Sequence, residues 1–193
     1  MDKKEFIALS LKESAETKLK MLEFCSDDVI KAVDLVVYMY KGGHKLLMCG
    51  NGGSAADCQH LATEFMMRLS HHINRPALPA IALTTDTSNL TAGGNDIGFD
   101  NVFARNVQGL GQEGDVLWAI STSGNSSNVI KAVEMAKEKK MKVLGLLGGT
   151  GGKLLNMVDV AIVIPSSNTQ RIQEGHITVG HMICELTETE LYS

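Results

Sequence analysis

The segment Lys45-Leu46-Leu47-Met48-Cys49-Gly50-Asn51-Gly52-Gly53-Ser54-Ala55-Ala56-Asp57-Cys58-Gln59-His60-Leu61-Ala62-Thr63-Glu64 decides the fold. Residues 45–49 are an apolar run of strand length. Asn51-Gly52-Gly53 then turns the chain tightly, because glycine has no Cβ to forbid positive φ. Ser54 is placed to cap the helix that follows, and that helix carries His60 and Glu64 four residues apart, on one face. A strand, a glycine turn and a helix N-terminus together offer free N–H groups to an anion. Neither the dinucleotide pattern G-x-G-x-x-G nor the Gly-Lys-Ser/Thr of a Walker loop is present. Two readings stand here: a phosphorylated ligand with acid–base or metal chemistry beside it, or a plain structural turn followed by a surface ion pair.

Working outward, apolar runs recur at 80–84, 115–120, 142–147 and 159–164, with helical segments between most of them. Their hydrophobicity is continuous rather than alternating, which predicts strands buried on both faces. The expected fold is α/β: a three-layer αβα domain with a five-stranded parallel sheet, doubly wound through right-handed crossovers. The 193 residues suffice for one domain with a real core. We read residues 1–193 as a single unit, with an N-terminal helical segment 1–43 ahead of an α/β core and C-terminal helix, 44–193.

The composition, 44% hydrophobic and 21% charged, argues against disorder, and a net charge of −4 gives no footing for nucleic acid. No apolar run approaches the ~18 residues that cross a bilayer, and no signal-peptide core follows Met1, so the expectation is a cytoplasmic protein without membrane or nucleic-acid partners. Cys25, Cys49, Cys58 and Cys184 form no C-x-x-C pair and read as reduced, mostly buried small hydrophobes, with Cys58 partly exposed.

Residues 3–24 and 29–39 read as two helices, the second opened by a Ser26-Asp27-Asp28 cap and acidic first turn. Both precede the first strand, and they either cover the sheet or meet another subunit. The final helix spans 170–185, with an apolar stripe at Ile172, Val179, Ile183 and Leu186. His176 reads as a satisfied structural histidine. Gly175 and Gly180 each cost about 1 kcal/mol relative to alanine in mid-helix. They predict close approach of another backbone, from another subunit.

Ligands of such sheets sit outside the carboxyl ends of the strands. The turn after the third run, Ser121-Thr122-Ser123-Gly124-Asn125-Ser126, gathers four hydroxyls and a glycine at a helix N-terminus, with no acidic residue among them. It is the strongest anion site in the chain, since hydroxyls, free N–H groups and the helix dipole all favour phosphate. The alternative is a capped turn whose hydroxyls satisfy one another. The lack of a lysine points to a phosphate monoester on a small molecule rather than to nucleotide hydrolysis.

The run CGNGGSAADCQHLATE (49–64), GNDIGFDNVFARNV (94–107), the turn STSGNS (121–126) and RIQEGH with a later histidine (171–181) closely resemble sedoheptulose 7-phosphate isomerases (phosphoheptose isomerases) of the sugar isomerase (SIS) domain superfamily. The resemblance covers essentially the whole chain. It implies conversion of the ketose sedoheptulose 7-phosphate to D-glycero-D-manno-heptose 7-phosphate, the entry to ADP- or GDP-heptose for lipopolysaccharide or other surface glycans. It further implies a homotetramer with active sites between subunits, and one zinc per subunit held by His60, Glu64, Gln173 and His181. The substrate contacts it implies are Asn51, Gly52, Gly53, Ser54, Glu64, Asn95, Asp96, Ser121, Thr122, Ser123, Ser126 and Gln173. Some relatives carry an aspartate where this chain has Gln170, so no role of that aspartate transfers.

The residues suit the chemistry. Ketose–aldose isomerisation needs a base to move a proton between C1 and C2, here Glu64, and an acid at the carbonyl oxygen, here His181. Zinc would polarise the oxygens, yet a carboxylate held by zinc is a weaker base, so the two roles of Glu64 pull against each other. Gln173 and His181 lie about 12 Å apart along an ideal helix. Either that helix is irregular near its glycines or the site draws on more than one subunit. The rival reading is a non-catalytic relative of the same fold that binds a replication initiator; the presence of both Glu64 and His181 favours the enzyme.

Overall fold

The computed structural model of the protein describes residues 2–193. Two helices, α1 (Lys3–Phe24) and α2 (Ser26–Lys41), lead into β1 (Leu46–Gly50), α3 (Gly53–Met66), β2 (Ala80–Ala82), α4 (Thr87–Asp96), α5 (Val102–Leu110) and β3 (Val116–Ser121). The chain continues through α6 (Ser127–Glu138), β4 (Lys142–Gly148) and β5 (Val160–Ile164) to α7 (Thr169–Tyr192). The strands form one parallel sheet in the order β2-β1-β3-β4-β5.

Continuous apolar strands are buried on both sides, as the sequence requires: every residue of β1 and β3 is buried. Leu46, Met48, Trp118 and Leu144 face a core shared with α2, α3 and α7, while Leu47, Leu117, Ala119 and Val143 face α5 and α6. β1 therefore sends its helix to one face and its neighbour β3 sends α6 to the other. That divergence opens a crevice at the carboxyl ends of β1 and β3, the switch point of the sheet.

Several local expectations are corrected. Ser54 does not cap α3: the cap position is Gly52, at φ 55°, and Ser54 is buried as the second residue of the helix. Ser26 does not cap α2 either; its hydroxyl donates back to the Leu22 carbonyl at 2.6 Å, and Cys25 alone separates α1 from α2. Cys58 is fully buried, as are the other three thiols, and burial pushes the Cys49 thiol up to about 12. Leu186 falls off the buried stripe of α7 and is exposed. β2 is only three residues long, so Leu83 and Thr84 have left the sheet.

α7 is a single continuous helix, so irregularity at its glycines is not what relates Gln173 to His181. A Cβ on Gly175 would meet the Ile164 side chain at 2.8 Å and one on Gly180 would meet Leu61 at 2.6 Å. The close approach is thus made by side chains of the same chain, not by a foreign backbone. α2 packs on α7 and β5, whereas α1 leaves Phe6, Leu11, Leu19, Leu22 and Phe24 exposed.

Candidate active site

Two turns meet at the crevice. From β1, Asn51 and Gly52 lead into α3, and the Asn51 carbonyl accepts from Ser54 N–H at 3.0 Å. From β3, the serine turn leads into α6, with Ser126 at the cap position. The two are joined by a reciprocal amide pair: Asn51 Nδ2 donates to Asn128 Oδ1 at 2.9 Å, and Asn128 Nδ2 donates to Asn51 Oδ1 at 2.8 Å. Within the serine turn the Ser121 and Ser126 hydroxyls are 3.1 Å apart, and Asn125 N–H donates to Ser123 Oγ at 3.2 Å. Ser121 is buried, Thr122 and Ser126 half-buried and Ser123 exposed. An acidic group does reach this region from outside the turn, because Ser127 Oγ donates to the Asp100 carboxylate at 2.5 Å.

α3 and α7 lie side by side and run the same way. At their start the Gln173 carboxamide occupies the space a Cβ on Gly53 would need. Further along, Leu61 packs over Gly180, and His60 Nε2 sits 2.9 Å from His181 Nε2. Glu64 Oε1 is 3.3 Å from His60 Nε2. These three side chains place their ligand atoms within 4.8 Å of one another. His60 lies seven residues along α3 from Gly53, about 10 Å of rise, so the site has two poles: the glycine and serine turns at one end and a His-Glu-His group at the other.

Two imidazole nitrogens and a carboxylate oxygen converging in this way form a donor set suited to zinc. Asp57, one turn before His60, keeps its Oδ2 buried without a hydrogen-bond partner. Burial pushes its carboxyl above the usual range, and the neighbouring His60 pulls the other way.

The family-model comparison matches the SIS domain over residues 11–148. The phosphoheptose isomerase of Sulfurimonas denitrificans is 47% identical over 193 residues, covering 98% of this chain and 97% of that protein. The chain belongs to the phosphoheptose isomerase family. Solved structures agree: phosphoheptose isomerase GmhA from Neisseria gonorrhoeae superposes with a TM-score of 0.90 at 44% identity, covering 96% of this chain and 98% of that one. The phosphoheptose isomerase from Francisella tularensis gives 0.94 at 37% identity, covering 98% and 100%.

Against this phosphoheptose isomerase frame the expected residues divide. His60, Glu64 and His181 come together, and Asn51, Gly52, Gly53, Ser54 and Gln173 gather near the glycine turn. Asn95 and Asp96 are exposed at the end of α4, where Asn95 Nδ2 donates to Asp96 Oδ1 at 2.8 Å. Sequence reasoning missed Asn128 and also the Arg75–Glu188 pair. Arg75 donates to the Glu64 and Phe65 carbonyls, each at 2.8 Å, closing the C-terminal end of α3, and pairs with Glu188 of α7 at 2.6 Å. No local signal marked either residue, since both lie in polar stretches of sequence, and nothing in the spacing links positions 75 and 188.

Proposed function

We propose that this chain is a ketose–aldose isomerase that converts sedoheptulose 7-phosphate into D-glycero-D-manno-heptose 7-phosphate through an enediol. The observation that carries the reading is the His60–Glu64–His181 group, one crevice length from two anion-presenting turns, in a chain nearly half identical to phosphoheptose isomerases along its whole length. A substrate with its phosphate and its carbonyl at opposite ends of a seven-carbon chain suits a site with two poles.

In this reading the turn of Ser121, Thr122, Ser123 and Ser126, with the first N–H groups of α3 and α6, takes the phosphate. Asn51, Gly52, Gly53, Ser54 and Gln173 border the sugar. Glu64 carries the proton between C1 and C2, and His181 supplies a proton to the carbonyl oxygen. His60, Glu64 and His181 would hold zinc. The resemblance implies Gln173 as a fourth ligand, but in this chain its carboxamide packs against Gly53 at the other end of the site, so a Gln173 ligand would have to come from another subunit. When bound, zinc supplies Lewis acidity toward the carbonyl and hydroxyl oxygens.

The same reading takes residues 1–193 as one SIS domain that assembles as a homotetramer. The exposed apolar face of α1 supports assembly. No helix among the described residues is long and apolar enough to cross a membrane. With four free, buried thiols, we assign the enzyme to the cytoplasm, feeding heptose into lipopolysaccharide or another surface glycan. Incubating the zinc-loaded protein with sedoheptulose 7-phosphate and resolving the sugar phosphates by anion exchange tests the function: an aldose heptose 7-phosphate must accumulate. No conversion by folded, zinc-loaded protein would overturn it.

A further inference from the structure

Asn51 and Asn128 hold one another across the crevice. Asn51 is the first residue after β1, and Asn128 is the second residue of α6, beyond β3. Each carboxamide commits one N–H and its carbonyl oxygen to the other, at 2.9 and 2.8 Å. Asn128 is only 3% exposed. Flipping either amide would set oxygen against oxygen and N–H against N–H, so the pair has one orientation. Among the described residues these are the only side-chain hydrogen bonds that join the glycine turn to the serine turn or to the start of α6.

The position matters because α3 and α6 leave the sheet toward opposite faces. Their packing cores are separate, so core contacts set the two helix N-termini against different halves of the molecule rather than against each other. The phosphate, however, has to meet the first N–H groups of both helices at once. A misplacement of about 1 Å is enough to cost such a site heavily.

We propose that Asn128 is a positioning residue for phosphate, acting through its amide pair with Asn51. The pair is a strut that fixes the separation of the two helix N-termini. Reorienting Asn51 would break both bonds and leave the buried Asn128 amide unpaired, while the second N–H of Asn51 stays free. This inference rests on the reading of the two turns as the phosphate site.

The test is a double-mutant cycle of Asn51→Ala, Asn128→Ala and the double variant. KM and kcat are measured for sedoheptulose 7-phosphate, inorganic phosphate binding by calorimetry, and folding by melting temperature. The strut predicts that each single variant weakens inorganic phosphate about tenfold, that Asn128→Ala raises KM while leaving kcat within about threefold, and that the double variant binds inorganic phosphate no worse than the worse single one. Additive losses, or an Asn128→Ala protein with unchanged KM and phosphate affinity, would overturn it. If Asn128→Ala does not fold, Asn128→Leu keeps the volume and adds no charge while losing donor and acceptor, and must show the same weakening. A wild type that binds inorganic phosphate but turns nothing over would refute the isomerase reading alone, since the cycle can still be read from phosphate binding.

Discussion

His60 Nε2 and His181 Nε2 lie 2.9 Å apart, bringing α3 and α7 together through two ring nitrogens, with the Glu64 carboxylate 3.3 Å from the first. Two imidazoles this close cannot both present a proton along the same line; they share one proton or one cation. Zinc answers that constraint with the donor set at hand. Wild type is expected to hold about one zinc per chain by elemental analysis, and His60→Gln and His181→Gln to lose most of it while remaining folded. Zinc at 100 times its dissociation constant should raise wild-type stability by about 2.7 kcal/mol, a gain absent from both variants in thermal melts.

Glu188 of α7 accepts from the Leu69 and Ser70 N–H groups, each at 3.0 Å, and from Arg75. Burial alone would raise its carboxyl, but these bonds and the Arg75 charge hold it below the ordinary range. Glu188→Gln leaves the fully buried Arg75 charge without its counter-ion, and urea unfolding should report a loss of about 3 kcal/mol or more. Because Arg75 also closes the helix that carries Glu64, turnover should fall with stability. An unchanged urea midpoint would contradict this role.

His176 is fully buried on α7 and its Nε2 is 2.9 Å from the Leu147 carbonyl. Burial pulls its pKa down to about 4 from the ordinary 6.5, against the hydrogen bond, which raises it. The unfolded chain therefore binds a proton between about pH 6.5 and 4 that the folded chain refuses, so stability is complete above that window and falls as pH drops through it, by about 3 kcal/mol in all. His176→Gln, which retains a donor toward Leu147, should remove this slope. Melting temperatures across pH 4–7 that decline equally in both proteins would refute it.

Lys18, Met21, Leu22, Val29, Ile30 and Met182 line a groove between α1, α2 and α7, and Leu22 is 74% exposed there. A glutamate in place of Leu22 would desolvate a charge in any contact formed on this face. Wild type is expected at the mass of four chains by light scattering, and Leu22→Glu at a smaller one. A wild-type monomer with full activity would contradict the assembly.

The sheet was legible because continuous apolar runs have one economical meaning, strands covered on both sides, and all five expected runs contain a strand. The serine and glycine turns were legible for the same local reason: their residues are adjacent in sequence. Asn128 was not, because its partner lies across a crevice whose existence depends on β1 lying beside β3, and periodicity carries no strand order. Ser54 misled because a serine after a glycine turn resembles a cap, whereas Gly52 at positive φ places the helix start two residues earlier than that cap requires. The glycines of α7 signalled close packing correctly, but the sequence does not say whose atoms are close; Leu61 and Ile164 fill that space.

The central claim is that Glu64 moves the substrate proton while the phosphate is held at the turns. Running wild type and Glu64→Gln on sedoheptulose 7-phosphate in deuterated water, with the product carbon at C2 read by NMR, tests it most directly. The account predicts wild-type turnover with deuterium incorporated at C2, and a Glu64→Gln rate lower by about 10²–10⁴-fold with inorganic phosphate still bound. Turnover in Glu64→Gln near the wild-type rate would contradict it.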